Sequence, residues 1–352
     1  MAPICEDHIY QQDIAKIVDS DFVDFSKFFK KSFLITGASG LIGSFLIDVL
    51  LFCNDTMHGD INIYALGRSR EKLEKRFGQE TDHLHFVIQD VCDQLATDQH
   101  FDFVIHGASN THPLLYSSDP VGTISGNIIG INNLLAYCAK HLPEKFLVLS
   151  SVEVYGNNTD VTKKLDEKYY GYIDCNTLRA GYPESKRLCE ALGQAYLSQY
   201  GINVVVARLS RVYGPTMKLD DSKALSQFIK KAVAGEDIVL KSDGEQFFSY
   251  CYVADAVSAI LKILADGKNG EAYNVADEKS DIRLKDLAKI LASFNDKRVV
   301  YEIPDETESR GYSTATNAVM DATKLQQLGW HAAYDIEKGL SHTIKILSGA
   351  NN

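Results

Sequence analysis

The residues of this chain best suited to acid–base chemistry are a tyrosine and a lysine four positions apart, Tyr182 and Lys186, in the run YPESK. Residues with this spacing share one face of a helix. A lysine ammonium near a phenol favours its ionised form and lowers the tyrosine pKa, which makes Tyr182 a candidate general base. Ser151, in the run LSSVEVYG, can hydrogen-bond the substrate hydroxyl from which Tyr182 would take a proton, and so guide that proton. Because YxxxK also occurs by chance on solvated helix faces, its weight as evidence for a catalytic pair depends on the motifs that precede it in the chain.

A glycine-rich stretch at residues 32–44, SFLITGASGLIGS, predicts a site for the pyrophosphate of a dinucleotide. An apolar run typical of a buried strand precedes the glycines, and an apolar helical pattern follows them. Gly37 allows the tight turn, Gly40 lets the phosphates approach the backbone, and Gly43 lets helix and strand pack closely. Three glycines alone are a weak signal, which the flanking strand and helix strengthen.

The end of the second predicted strand bears on which dinucleotide binds. A site that prefers NAD usually places Asp or Glu there, whereas this chain has Gly67 and then Arg68. A guanidinium can bind a 2′-phosphate, so NADP is slightly favoured over NAD; a solvent-exposed arginine at a helix start is the alternative. The residues expected to line the cofactor site are Gly37, Ser39, Gly40, Leu41, Ile42, Gly43, Arg68, Asp90, Val91, Gly107, Ala108 and Ser109.

Strand-like and helix-like runs alternate from residue 33 to about residue 208, which indicates a parallel sheet covered on both faces. We therefore expect an α/β fold, a Rossmann doubly wound parallel sheet with a smaller C-terminal α/β cap that binds the substrate. The expected domains are an N-terminal extension packed on the domain edge (1–31), a dinucleotide-binding domain (32–208), and mainly cap (209–352), with 249–273 returning to the sheet. Strands are predicted at 33–35, 62–66, 85–88, 103–106, 146–149 and 204–208, and helices at 41–52, 70–77, 122–141 and 183–200.

Composition restricts the partners of the chain. Its 352 residues carry a formal net charge of −11, which disfavours nucleic acid and anionic membranes as partners. No apolar run approaches the roughly 20 residues of a membrane helix, and the polar N-terminus is unlike a signal peptide, so we expect a cytoplasmic protein. The cysteines are scattered without a CxxC pair and the histidines form no HxH or HExxH pattern. Neither disulfides nor a metal site is therefore expected.

From about residue 33 onward the chain resembles the extended short-chain dehydrogenases/reductases that act on nucleotide sugars, the NAD-dependent epimerase/dehydratase family. The resemblance is carried by TGASGLIG, VIHGAS, GNIIGINNLL, LSSVEVYG, YPESK, RLSRVYGP, SYCYVADAV, AYNVADEKS and LQQLGW. It is closest to UDP-glucuronate decarboxylases and dTDP-glucose 4,6-dehydratases. The resemblance implies a nucleotide-diphosphate sugar as substrate, a tightly bound NAD or NADP held in part by Asn127, Tyr182 and Lys186, and a homodimer formed through the helices at 122–141 and 183–200.

The resemblance also implies a mechanism. Tyr182 removes the proton of the sugar's 4-hydroxyl while hydride passes from C4 to the cofactor, Ser151 orients that hydroxyl, and Lys186 lowers the tyrosine pKa. The resulting 4-keto sugar has an acidic proton at C5, and a carboxylate at C5 becomes a leaving group. Hydride then returns, so the cofactor is recycled. Glu153 is the implied base for the C5 proton, and a structural hydrogen bond to its loop is the alternative role.

The chain departs from the family at residues that decide the product. The dehydratases carry an Asp-Glu pair after the catalytic Ser or Thr, where this chain has Val152 and Glu153, so the base is kept and the acid is lost. The decarboxylases carry an arginine that contacts the diphosphate or the sugar carboxylate, where this chain has Phe248. Arg211 stands where the family usually has Asn and is a candidate compensating cation. Lys223 matches a basic residue that binds the diphosphate; for both cations, surface charge is the alternative.

These features rank an epimerase first, narrowly ahead of a decarboxylase and a 4,6-dehydratase. Two hypotheses from other classes stay open. One is a non-catalytic cofactor-binding scaffold or redox sensor, against which the intact Ser151, Tyr182 and Lys186 argue. The other is a reductase that consumes NADPH, which Arg68 would suit. A recycling enzyme should purify with its cofactor bound and need none added.

Overall fold

The computed structural model describes residues 4–110, 116, 118–158, 160, 162–219, 221–302 and 316–349. Within these ranges the strands are β1 (Ser32–Thr36), β2 (Asn62–Gly67), β3 (Leu84–Ile88), β4 (Phe103–His106), β5 (Lys145–Ser151), β6 (Val204–Leu209), β7 (Arg211–Tyr213), β8 (Ile238–Leu240), β9 (Phe247–Tyr252), β10 (Ala272–Val275), β11 (Asp281–Arg283), β12 (Val299–Tyr301) and β13 (Asn317–Ala318). The α-helices are α1 (His8–Val18), α2 (Leu41–Met57), α3 (Arg70–Phe77), α4 (Pro120–Cys138), α5 (Gly181–Tyr200), α6 (Ala224–Val233), α7 (Val253–Asp266), α8 (Leu284–Ser293), α9 (Thr323–Gln326) and α10 (Ile336–Gly349).

A parallel sheet of seven strands forms the centre of the fold, in the order β10-β6-β5-β4-β1-β2-β3. The direction in which the chain adds strands reverses between β1 and β4. In open parallel sheets, ligands bind outside the carboxyl ends of the strands at such a point. The predicted doubly wound α/β fold is confirmed, and this crevice is where the catalytic and cofactor residues are expected to meet.

The central strands are buried on both faces. Successive side chains of a strand point to opposite faces, so Phe33 and Ile35 pack in a core with α1, α2 and α7, whereas Leu34 packs in a core with α4 and α5. A strand covered on both faces is an uninterrupted apolar run in the sequence. This is why the short run at 33–35 predicts β1 despite having no polar–apolar alternation.

Two helices begin earlier than predicted, and local capping explains one of the differences. The helix predicted at 122–141 begins at Pro120, because the Asp119 carboxylate accepts a hydrogen bond from the Gly122 amide at 3.0 Å and proline is favoured in a first turn. The helix predicted at 183–200 begins at Gly181, directly after a 3₁₀ turn at Leu178–Ala180. Tyr182 therefore lies inside the first turn of α5.

The N-terminal extension is anchored by a buried carboxylate. Helix α1 packs on α2 and α7, as expected for a segment that covers the domain edge. Asp13 of α1 is fully buried and accepts hydrogen bonds from the hydroxyls of Tyr252 at 2.6 Å and Tyr334 at 2.7 Å. The extension thus ties the start of α7 to the segment that precedes α10.

Beyond β6 the chain forms smaller sheets and then returns to the large one. Strand β9 pairs with β7, β11 and β13, and β8 pairs with β12. Helix α7 packs on α2, and β10 then joins the large sheet beside β6. This pattern supports the predicted division into 1–31, 32–208 and 209–352 with a return at 249–273, which we keep as a proposal. Among the described helices, none has the length and apolar character needed to cross a membrane.

Candidate active site

The structure brings Ser151, Tyr182 and Lys186 together at the carboxyl end of β5. Ser151 is the last residue of β5, and its side chain shares a hydrogen bond with Tyr182. The Lys186 ammonium donates to the carbonyl oxygen of Leu149 at 3.0 Å, and its nitrogen lies 5.9 Å from the centroid of the Tyr182 ring. The lysine is thus fixed to the strand that ends in the serine. The chain folds this way because α5 buries Tyr182, Lys186 and Cys189 on the face toward the sheet.

The expected lowering of the Tyr182 pKa is wrong for the structure as it stands. Burial raises the pKa of this phenol above its ordinary value of 10, and the negative charge of Glu153 adds to the rise. The hydrogen bond from Ser151 and the charge of Arg179 oppose the rise without cancelling it. Burial also lowers the pKa of Lys186. The phenol therefore carries its proton at neutral pH.

Glu153 is held by an arginine that the sequence reasoning did not assign to the site. It lies in a 3₁₀ turn at Val152–Tyr155, where the Glu153 amide donates to the Ser151 hydroxyl at 3.2 Å. Its carboxylate accepts a hydrogen bond from the Arg179 guanidinium at 2.8 Å, with both side chains about 30% exposed. Val152 is buried and supplies no acid. The predicted base is therefore ion-paired and still open to the cleft.

An aromatic stack forms one wall of the site. The ring of Tyr116 is stacked on the ring of Tyr182, with centroids 4.8 Å apart and planes 20° apart. The Arg179 guanidinium carbon lies 4.9 Å from the centroid of the Tyr116 ring. Tyr116 is buried. The stack fixes the plane of the Tyr182 phenol and joins it to the Glu153–Arg179 pair.

Arg211 and Phe248, two of the departures from the family pattern, lie against each other. Their strands, β7 and β9, pair in parallel with Arg211 opposite Tyr250. The Arg211 guanidinium carbon lies 3.4 Å from the centroid of the Phe248 ring, a stacked cation–π contact. Lys223, also predicted to bind the substrate, is instead about half exposed and ion-paired with Asp221 at 3.2 Å. Of the predicted substrate residues, the structure places Arg211 on Phe248 and pairs Lys223 with Asp221.

The glycine loop has the close packing that a dinucleotide cradle requires. Gly37 has φ = 70°, and a Cβ there would lie 2.8 Å from the carbonyl oxygen of Gly107. A Cβ on Gly43 would lie 2.5 Å from the carbonyl oxygen of Gly37. Gly40 is the N-cap of α2 and has no side chain to cap the helix, so the first-turn amides of Leu41 and its neighbours face the crevice uncapped. These features fit a bound pyrophosphate.

The loop is also fixed to the end of β4. The Thr36 hydroxyl accepts hydrogen bonds from the amides of Gly107 at 3.1 Å and Ala108 at 3.0 Å, and it contacts His106 Nδ1 at 3.1 Å. Burial and the charge of Lys186 lower the pKa of His106 to about 3, so this imidazole is neutral. Thr36 and His106 belong to motifs quoted above, TGASGLIG and VIHGAS, but their mutual contact depends on the pairing of β1 with β4.

Two of the residues predicted to hold the cofactor each have a buried polar atom without a hydrogen-bond partner among the described residues. These atoms are the hydroxyl of Ser109 and the side-chain oxygen of Asn127. The Asn127 amide nitrogen donates to the Ser185 hydroxyl at 2.8 Å, which holds the side chain in place. Buried polar atoms are normally hydrogen-bonded. The unpartnered atoms therefore fit residues that a bound dinucleotide completes.

Arg68 lies at the carboxyl end of β2 and is mostly exposed. Its guanidinium is 3.7 Å from the carboxylate of Asp90, which follows β3. The other Asp90 oxygen accepts a hydrogen bond from the Cys92 amide at 2.9 Å. A Cβ on Gly130 of α4 would lie 2.8 Å from Val91, so the helix approaches closely here. Arg68 is thus available to a ligand, and an acid offsets its charge.

No group of His, Cys, Asp and Glu side chains in the described part of the chain could hold a metal ion. The seven cysteines are unpaired thiols.

Comparisons with known proteins connect this geometry to a family. A family model described as the NAD dependent epimerase/dehydratase family matches residues 33–276. UDP-glucuronic acid decarboxylase 6 of Arabidopsis thaliana is 31% identical over 321 residues, which cover 90% of this chain and 89% of that protein. UDP-glucose 4-epimerase of Thermotoga maritima, solved with UDP-glucose, has a TM-score of 0.77 at 23% identity and covers 91% of this chain and 100% of its own. UDP-glucuronic acid 4-epimerase of Bacillus cereus, solved with UDP-glucuronic acid and NAD, has a TM-score of 0.75 at 21% identity, covering 91% and 99%. The two solved structures share the fold of this chain.

Proposed function

The chain belongs to the NAD-dependent epimerase/dehydratase family, and from that membership we propose that it modifies a nucleotide-diphosphate sugar by transient oxidation at C4. One observation carries the proposal. Ser151 and Tyr182 share a hydrogen bond at the end of β5, beside Lys186. A protein that only sensed a dinucleotide would have no use for this arrangement, so it counts against the sensor alternative.

In the proposed reaction, Tyr182 exchanges the proton of the sugar's 4-hydroxyl while Ser151 orients that hydroxyl. The protonated, buried phenol suits the second half of the cycle, in which a proton must be returned to the C4 oxygen. In the first half the phenol must ionise, and a nearby positive charge favours this. NAD(P)⁺, when bound, supplies the hydride acceptor for C4 and a positive charge near the phenol. Lys186, fixed to the Leu149 carbonyl, is positioned to hold the nicotinamide ribose and to keep the Tyr182 phenol beside the end of β5.

We propose epimerisation as the first candidate outcome, because it requires no leaving group. Elimination of water needs an acid, and the position before Glu153 is the buried, apolar Val152. Glu153 itself is held at the cleft by its ion pair with Arg179 and is about 28% exposed, which makes it the candidate base for the C5 proton. A 4,6-dehydratase is therefore the least supported of the three reactions.

Decarboxylation of a nucleotide-diphosphate uronate is the second candidate. It is favoured by the relative that is 31% identical, a UDP-glucuronic acid decarboxylase. In such a reaction the 4-keto group would accept the electron pair left when the C5 carboxylate departs as carbon dioxide, and the enolate so formed would take up a proton at C5 from solvent before hydride returns to C4. The retained Glu153 and the arginine beside it are compatible with this outcome.

We further propose NAD as the working cofactor. Arg68 was expected to favour NADP slightly, but Asp90 lies 3.7 Å from its guanidinium, and this carboxylate would repel a 2′-phosphate. The residues that would hold the dinucleotide are those of the glycine loop, the Gly107–Ser109 strand end, Asn127 and Lys186. Arg68→Ala should leave NAD binding within a few-fold. That result would distinguish NAD from NADP, whose 2′-phosphate Arg68 would be expected to bind.

The predicted homodimer is also retained as a proposal. Apolar residues on α4 and α5 are exposed in the single chain, notably Val121 at 73%, Ile129 at 43% and Leu188 at 41%. Exposed apolar residues on adjacent helices are typical of an association surface. Light scattering on the purified protein would give the mass directly.

The experiment that tests the proposed function is incubation of the purified protein with UDP-, dTDP-, GDP- and CDP-sugars, neutral and acidic, followed by mass spectrometry and proton NMR. New couplings without a mass change would indicate epimerisation, and loss of carbon dioxide would indicate decarboxylation. Loss of water would favour the dehydratase instead. Net consumption of added NADPH would support the reductase alternative and contradict a recycled cofactor.

A further inference from the structure

Two arginines of the site have a guanidinium nitrogen that is buried and unsatisfied. Nη1 of Arg179 and Nη1 of Arg211 both lack a hydrogen-bond partner among the described residues. A guanidinium has five N–H donors and no acceptor. Buried N–H donors are normally hydrogen-bonded. The two unsatisfied nitrogens near one carboxylate therefore leave donors that an anionic ligand can use.

The contacts that hold the two guanidinium groups leave these nitrogens free. Nη2 of Arg179 donates a hydrogen bond to Glu153, and the guanidinium lies over the ring of Tyr116. Arg211 is held by the ring of Phe248. An aromatic face supports a guanidinium without accepting its in-plane hydrogen bonds. Each arginine is thus positioned by a ring while part of its donor fork stays available.

The two arginines and Glu153 lie close enough to influence one another electrostatically. Burial lowers the pKa of Arg211, the charge of Glu153 raises it, and the charge of Arg179 lowers it further. Two guanidinium groups and one carboxylate leave one positive charge in excess. A single bound oxyanion would balance that charge.

The position of Arg211 also accounts for the loss of the family arginine at the position of Phe248. The resemblance described above places the anion-contacting arginine of the decarboxylases on the strand that is β9 here, where this chain has Phe248. Strand β7 pairs directly with β9, and its Arg211 covers the Phe248 ring. The cation is therefore supplied from the neighbouring strand, and the phenylalanine serves as its platform.

We propose that Arg179 and Arg211 form an oxyanion subsite beside Glu153 that binds an anionic group of the nucleotide-sugar substrate. The inference rests on the proposed function and adds to it the residues that bind the negatively charged group of the substrate. Two substrate groups have the required chemistry, the diphosphate and a carboxylate on the sugar. A planar, two-oxygen carboxylate and a phosphate both match the fork of a guanidinium.

The test is calorimetric titration of the purified protein with UDP, UDP-glucose and UDP-glucuronic acid. The variants are Arg211→Gln and Arg179→Gln. Arg283→Gln is the matched control, because Arg283 also lies over a β9 phenylalanine, Phe247, but is about half exposed and ion-paired with Glu245 at 3.0 Å. Thermal melts of each variant would establish that it is folded.

Arg211→Gln should weaken at least one probe by about 10- to 100-fold, the range expected for a lost charge-assisted hydrogen bond, while Arg283→Gln leaves all three within about twofold. An equal loss for all three probes would assign the subsite to the diphosphate. A loss confined to UDP-glucuronic acid would assign it to the sugar carboxylate. A folded Arg211→Gln protein that binds every probe as tightly as the wild type would overturn the subsite.

A charge-relocation variant gives an independent readout. Replacing Arg211 by Asn and Phe248 by Arg moves the guanidinium from β7 to β9. The double variant should recover at least part of the affinity that Arg211→Gln loses. A double variant that binds the probes no more tightly than Arg211→Gln would count against the subsite. Failure of the wild type to bind any of the three probes would instead contradict the proposed function in its uridine-nucleotide form, and this inference with it.

Discussion

Replacing Tyr182 by Phe should abolish measurable turnover while leaving the site folded. The change removes only the hydroxyl, which is buried and hydrogen-bonded to Ser151. The ring can keep its stacking on Tyr116, since the 4.8 Å contact involves the ring alone. Ser151 can keep its hydrogen bond from the Glu153 amide. The perturbation is therefore local to the proton that the mechanism needs.

The expected magnitudes separate catalysis from stability. Loss of a positioned acid–base group costs on the order of 10²- to 10⁴-fold in kcat, or about 3–5 kcal/mol in the barrier. Loss of one neutral hydrogen bond should change the free energy of unfolding by only about 1 kcal/mol. NAD binding should be retained, because the glycine loop lies on β1 and α2, away from the substitution.

The assay is turnover of the sugar nucleotide identified by the panel, with thermal melts and NAD titration run in parallel. Tyr213→Phe is the control, because Tyr213 is an equally buried tyrosine whose hydroxyl donates to the Ile336 carbonyl at 3.3 Å. It should lose similar stability and keep its activity. A Tyr182→Phe protein whose kcat stays within tenfold of the wild type would refute the assignment of the catalytic acid–base.

Three further outcomes are expected. Glu153→Gln should stop deuterium uptake at C5 from D₂O, and NMR showing uptake at the wild-type rate would remove Glu153 from the mechanism. Gly43→Ala should weaken NAD binding and destabilise the fold by about 1–3 kcal/mol, because the new Cβ would lie 2.5 Å from the Gly37 carbonyl oxygen; unchanged melting and affinity would contradict this packing. Burial raises the pKa of Asp255 from 3.8 to about 7, so folding favours its protonated form and this contribution to stability is lost as the pH rises from about 4 to about 7. The melting temperature of the wild type should therefore fall relative to Asp255→Asn across that window, and parallel curves would refute the shift.

The fold, and the meeting of Ser151, Tyr182 and Lys186 at one place, could be predicted because their signals are local. The glycine spacing, the apolar run of β1 and the YPESK helix start each lie within a few residues, and backbone geometry sets their consequences. Ser151 was found for the same reason, since it ends a recognisable strand. The confirmed doubly wound sheet then brings these local pieces to one edge.

The rest of the site depends on packing between distant segments, which local patterns do not encode. The stack of Tyr116 on Tyr182 and the pairing of Arg179 with Glu153 join residues from separate segments of the chain. The pKa of Tyr182 was expected to fall because of Lys186, but the sequence contains no measure of how deeply the phenol is buried. Burial proved the larger effect.

The Arg211–Phe248 pair shows an intermediate case. Both residues stood out because each breaks a motif, and the exchange of roles between them could be suspected from that alone. Only the parallel pairing of β7 with β9 places one on the other at 3.4 Å. Lys223 matched a family position equally well, yet its side chain pairs with Asp221 in the described structure.

A sugar nucleotide carrying deuterium at C4 gives the most direct test of transient oxidation at C4 with a recycled cofactor. We predict a primary isotope effect on single turnover, deuterium retained in the product, and a cofactor whose oxidation state is unchanged at the end. Turnover without an isotope effect, or deuterium recovered in released NADH or NADPH, would contradict it.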